Sequence, residues 1–83
     1  MKRVRVTIEG EAYISLEGVA QCYECEVTWL REVYSLGLLG RGRVVEETIV
    51  IESRMLDRVA EVIRMSVHQG IDLAVVAAIL EID

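Results

Sequence analysis

YISLEGVAQCYECEVTWLREVYSLGLL, residues 13–39, is the stretch whose reading decides the fold. Ser15 stands just before Leu16, Val19, Ala20 and Tyr23, which recur at helical spacing, so its hydroxyl can accept from the orphan amides of a short first helix. Glu24 and Cys25 carry the chain through a tight turn. Val27, Leu30, Val33 and Tyr34 then recur at helical spacing with Trp29 beside them. The second helix is expected to stop near Leu36-Gly37, where glycine permits a left-handed cap. Two short helices joined by a three- or four-residue turn make a helix-turn-helix pattern.

Upstream, Val4, Val6 and Ile8 alternate with Arg5 and Thr7, the period of a half-buried strand that ends at a Glu9-Gly10 turn. Downstream, Gly40-Arg41-Gly42-Arg43 supplies turn residues ahead of the runs Arg43 to Val45 and Thr48 to Ile51, with Glu46-Glu47 as the tip of a small hairpin, a wing. Ser53 opens the longest helical segment. Leu56, Val59, Ala60, Ile63 and Val67 form one apolar stripe there, widened by Met55 and Val62, and His68 and Gly70 close it. Asp72 caps a final helix, Leu73 to Ile82, whose residues 73–80 are apolar on every side. Such a helix is buried or paired, and in a chain this small it is expected to pack against a second copy, giving a homodimer through Val75, Val76, Ile79 and Leu80. The expected fold is therefore mainly α with a small β wing: one winged helix-turn-helix domain over residues 1–83, with an N-terminal strand and two C-terminal helices.

Length and composition fit one small domain. With 83 residues there is room for a single core, and with no Phe and one Trp that core must be built from Val, Leu, Ile, Met and Ala. No apolar run approaches the roughly 18 residues of a membrane span, and the N-terminus lacks the uninterrupted apolar stretch of a signal peptide. Only Cys22 and Cys25 are present, too few for a disulfide framework, which agrees with a reducing, cytoplasmic compartment.

The order Ser15, Val19-Ala20, a turn, Leu30-Arg31 and Gly37-Leu38-Leu39 resembles the helix-turn-helix of MerR-type proteins. Met65-Ser-Val-His-Gln-Gly70-Ile-Asp-Leu73 is similar to that family's link between its third and fourth helices. Within the superfamily the closer likeness is to CbpM-type chaperone modulators, on three features: a strand leading into the first helix, Glu46-Glu47-Thr48 leading to an apolar strand, and an Ala- and Val-rich final helix. In size and role the chain is also similar to the DafA-type assembly factor of DnaK and DnaJ. The resemblance implies a partner, the J-domain of a DnaJ-like co-chaperone with a basic second helix, and through it an indirect effect on Hsp70. Two positions depart from the MerR pattern, since Glu24 stands where its turn has glycine and Glu26 where its second helix has a Ser or Thr cap.

Catalysis finds no support in the residues. His68 is the single histidine and is expected to interact with the last carbonyls of its helix, which leaves no Ser-His-Asp or His-His-Glu set. Cys22-x-x-Cys25 is half a zinc site at best, and both thiols are expected to fill the core as small apolar residues, with no metal and no cofactor. Gly37, Gly40 and Gly42 form no phosphate loop.

Charge carries more information. The chain has a net charge of −5, and between Glu11 and Leu36 the acids Glu11, Glu17, Glu24, Glu26 and Glu32 face one base, Arg31. A DNA-reading second helix needs Arg, Lys, Asn or Gln on its outer face, so nucleic acid is disfavoured. The expected function is an adaptor that binds a basic protein surface through Glu17, Glu24, Glu26, Trp29 and Glu32. The alternative is a MerR-type DNA-binding regulator that uses Arg31, Arg41 and Arg43 as phosphate contacts.

Overall fold

The computed structural model describes residues 4–80. Two short hairpins and four helices alternate along it. Strand β1 (Arg5–Ile8) turns through Glu9-Gly10 into β2 (Glu11–Ser15), which runs directly into helix α1 (Leu16–Tyr23). Helix α2 (Val27–Ser35) follows, then β3 (Arg43–Val45) and β4 (Thr48–Glu52). A 3-10 turn, Ser53–Met55, leads into α3 (Leu56–Ile63), a π-helical turn (Arg64–His68) and α4 (Leu73–Leu80).

The four strands form one antiparallel sheet in the order β1-β2-β4-β3. This overturns the expected mainly α winged helix-turn-helix: a curled four-stranded sheet holding 22% of the described residues is not a small wing, and the domain is α/β. The difference lies in β2. Glu9 (φ 53°) and Gly10 (φ 83°) both adopt positive φ, the geometry of a two-residue hairpin loop, so the chain folds straight back on β1. Tyr13 then pairs with Glu52, Ile14 with Ile51 and Ser15 with Val50, which joins both hairpins through the two central strands.

Alternation along β2 and β4 builds two buried layers. Ile14 and Ile51, directly paired, enter the main core with Leu16, Val19, Leu30, Val33, Leu38, Leu39, Val59, Val62, Met65 and Val76. Tyr13 and Val50 point to the other face of the sheet and are buried outside that cluster. Arg43 closes this second layer. Its guanidinium lies 5.8 Å from the Tyr13 ring centroid, its Nε donates to the Tyr13 hydroxyl at 3.3 Å, and its Nη2 meets Glu9 at 3.4 Å.

The helices start and stop for local reasons. Ser15 Oγ accepts from the Gly18 N–H at 3.0 Å, so one residue ends β2 and caps α1. Glu24 (φ 53°) ends α1 in the left-handed conformation, and the Glu24 and Cys25 N–H groups both donate to the Ala20 carbonyl. Glu26 occupies the N-cap of α2 with no side-chain cap bond. Between α2 and β3 the chain passes close under Tyr34, whose hydroxyl donates to the Arg41 carbonyl at 2.5 Å. A Cβ at Gly42 would sit 2.7 Å from the Val50 carbonyl oxygen and 2.8 Å from Tyr34 Cε1, so only glycine fits there.

Two further expectations are corrected. The apolar stripe of the third helix is turned: Val59, Val62 and Met65 are buried, whereas Ala60 is exposed and Val67 is 59% exposed. Apolar residues flank Val59 on both sides, so periodicity alone does not choose which side meets the sheet. Ser53 does open this segment, at the start of the 3-10 turn, and its hydroxyl is buried with no hydrogen-bond partner among the described residues. In the final helix Val76, expected to be open to a second copy, faces the core with Ala77, while Val75 and Ile79 are 48% and 42% exposed. The expected extension of that helix to Ile82 lies outside the described residues.

Candidate functional site

The acidic surface is built on α1, α2 and the turn between them. In α2, Leu30 and Val33 are buried, which sends Thr28, Arg31, Glu32 and Ser35 outward, and all four are exposed. Ser35 Oγ donates back to the Glu32 backbone carbonyl at 2.8 Å. Glu24 and Glu26 flank the turn and are exposed as well. Glu24, Glu26 and Glu32 make no ion pair with a described residue. Glu17, in the first turn of α1, is half-buried. Trp29, three residues before Glu32, is half-buried against the core and keeps part of its ring at the surface. Tyr23 is tied down by its hydroxyl, which donates to the Leu56 carbonyl at 3.2 Å.

Two of these acids sit where other residues are better suited. A left-handed residue at a helix C-terminus is usually glycine, and an N-cap is usually Ser, Thr, Asp or Asn. Glu24 and Glu26 fill these positions, adding two carboxylates to one turn at a local cost in helix stability.

The arginines of the DNA-reading alternative lie on three different elements. Arg31 is exposed on α2 and Arg41 in the loop before β3, while Arg43 is engaged by Tyr13 and Glu9 across the sheet. Arg54 pairs with Glu52 at 3.0 Å, and its guanidinium holds the Glu52 carboxyl below the usual carboxylate range, mainly through their hydrogen bond. Arg64 pairs with Glu61 at 2.7 Å. This crossed network of Tyr13, Arg43, Glu9, Glu52 and Arg54 on the sheet was missed in the sequence, because it depends on β2 and β4 being neighbours.

The cysteines separate. Cys22 is exposed, contrary to its expected place in the core, because it falls on the outer side of the last turn of α1. Cys25 is half-buried and packs against the core, as the residue after a left-handed cap commonly does. Burial, with a smaller effect from Glu26, pushes the Cys25 thiol pKa up. Alkylation of the native protein should therefore modify Cys22 first and Cys25 only slowly, as peptide mapping after a short iodoacetamide pulse would show. Equal rates at the two thiols would contradict this placement. Among the described residues, no three of His, Cys, Asp or Glu gather as a metal site. His68 is exposed in the π-helical turn.

Of the residues expected at a copy-to-copy contact, Val76 is fully buried and offers nothing to a second chain. Val75 and Ile79 stay exposed and Leu80 is half-buried, so the free strip follows one side of an eight-residue helix. No helix among the described residues is long and apolar enough to cross a membrane. No family model, curated protein or solved structure matches this chain.

Proposed function

We propose that this chain is a cytoplasmic protein-binding adaptor, not an enzyme, whose acidic α1–α2 surface docks on the J-domain of a DnaJ-like co-chaperone and so regulates its work with Hsp70. The observation that carries this reading is the sign and freedom of the charge: Glu24, Glu26 and Glu32 are exposed and unpaired by any described residue, against Arg31 alone on α2. Such a surface repels phosphates and steers a basic helix toward itself. Trp29, partly open beside Glu32, supplies an aromatic anchor of the kind that concentrates binding energy. The J-domain is the partner that the resemblance to CbpM-type modulators implies, and a basic second helix is the chemistry this surface fits.

The same reading takes the adaptor to be a homodimer. A tagged chain should capture a DnaJ-like protein through its J-domain, with Hsp70 arriving only through that co-chaperone. In a parallel mobility-shift assay it should not retard duplex DNA specifically. Retarded duplex with no captured J-domain would move the assignment to a DNA-binding regulator.

A further inference from the structure

We propose that β1 is the surface through which two copies associate, its free edge pairing antiparallel with β1 of a second copy to join two four-stranded sheets into one. This deepens the homodimer part of the reading above and is independent of the J-domain.

The edge is open and its polarity is set. Among the described residues, β1 is an outer strand bonded only to β2. The Ser15 N–H donates to the Val4 carbonyl at 2.8 Å, so Val4, Val6 and Ile8 turn their backbone groups toward β2. Arg5 and Thr7 therefore turn theirs away, and both residues are exposed. The strand has no proline, and its register with β2 runs without a bulge, so it lacks two common devices that protect an edge. The opposite edge, β3, is only three residues long, between Gly42 and the left-handed Glu46.

A second copy of β1 is the occupant that matches this edge. Centred on Val6, an antiparallel pair sets Arg5 opposite Thr7 of the second copy and Thr7 opposite its Arg5, so the outward N–H and C=O groups of both strands find partners. On one face Val6 meets Val6 and Val4 meets Ile8 of the other copy, uniting side chains that the single chain leaves partly exposed. The charges agree with this direction. Arg5, on the Ile14 side of the sheet, faces the neutral Thr7 of the second copy and meets no like charge there. Centring the pair on Arg5 instead would place two guanidinium groups face to face. The strip on α4 is the weaker competitor: its exposed large apolar side chains are Val75 and Ile79, and the helix bonds its own backbone groups, so it offers no row of free N–H and C=O groups.

The test is sedimentation of the full chain over a micromolar to millimolar series, beside Thr7→Pro and Ile79→Glu. Thr7→Pro deletes an N–H that points away from β2, so the hairpin keeps its own bonds while the dimer loses two of its new ones. A dimer whose dissociation constant rises at least ~10-fold in Thr7→Pro and is unmoved in Ile79→Glu supports the proposal. Amide exchange on the unmodified chain gives a second readout that needs no variant. Arg5 and Thr7 amides should gain protection with concentration, while Val6 and Ile8 stay protected throughout. A chain that is monomeric across the series, a dimer that persists in Thr7→Pro, or one lost in Ile79→Glu with Arg5 and Thr7 still exchanging freely, overturns it.

Discussion

Gly42→Ala is expected to lower the unfolding free energy by about 3 kcal/mol, a large share of what a domain of this size holds in total. Two costs add. Gly42 has φ 60°, where an L side chain costs about 1–2 kcal/mol, and the new methyl would meet the Val50 carbonyl at 2.7 Å and the Tyr34 ring at 2.8 Å. The carbonyl belongs to a central strand and cannot move without disturbing the β3–β4 ladder, where Arg43 pairs with Val50. Gly37→Ala is the internal control, because Gly37 also has positive φ (83°) but open space around its Cβ position. It should lose only the conformational part, about 1 kcal/mol. Urea midpoints of both variants read the difference directly, and equal losses would mean that Tyr34 and Val50 do not close over Gly42.

Reversing Glu26 and Glu32 together to lysine is expected to slow J-domain association by about 10- to 100-fold while changing dissociation less. Long-range attraction acts before contact, so the effect should shrink as salt rises past the ~8–10 Å screening length. Reversal of Glu46 and Glu47, at the exposed tip between β3 and β4, changes the net charge equally and serves as the comparison. An equal slowing in both variants would show that total charge acts, and not the α1–α2 surface. Glu24→Gly separates binding from folding: relief of the left-handed strain at φ 53° should raise stability by about 1 kcal/mol as the loss of a carboxylate weakens binding.

Local signals were the legible part of this fold. Ser15 does cap the first helix, Gly37 has the left-handed conformation expected of it, and Glu46-Glu47 is the hairpin tip. β2 was hidden because Glu11-Ala-Tyr-Ile-Ser15 places three apolar residues in a row and so shows no alternation, and because Ser15 reads as the start of a helix while also ending a strand. The sheet order follows from pairing between residues some 40 positions apart, such as Ile14 and Ile51, which no local pattern announces. At the acidic surface, residue type and helical phase sufficed to place Glu32 outward. The same phase sends Cys22 off the Leu16–Val19 face, whereas the engagement of Arg43 by Tyr13 and Glu9 depended on tertiary neighbours.

Most direct for the adaptor reading is a titration of the full chain with a labelled J-domain and, in the same buffer, with a labelled promoter duplex. Saturable J-domain binding that weakens with salt, with no specific duplex binding, is the predicted result. Tight duplex binding without a J-domain signal would contradict it.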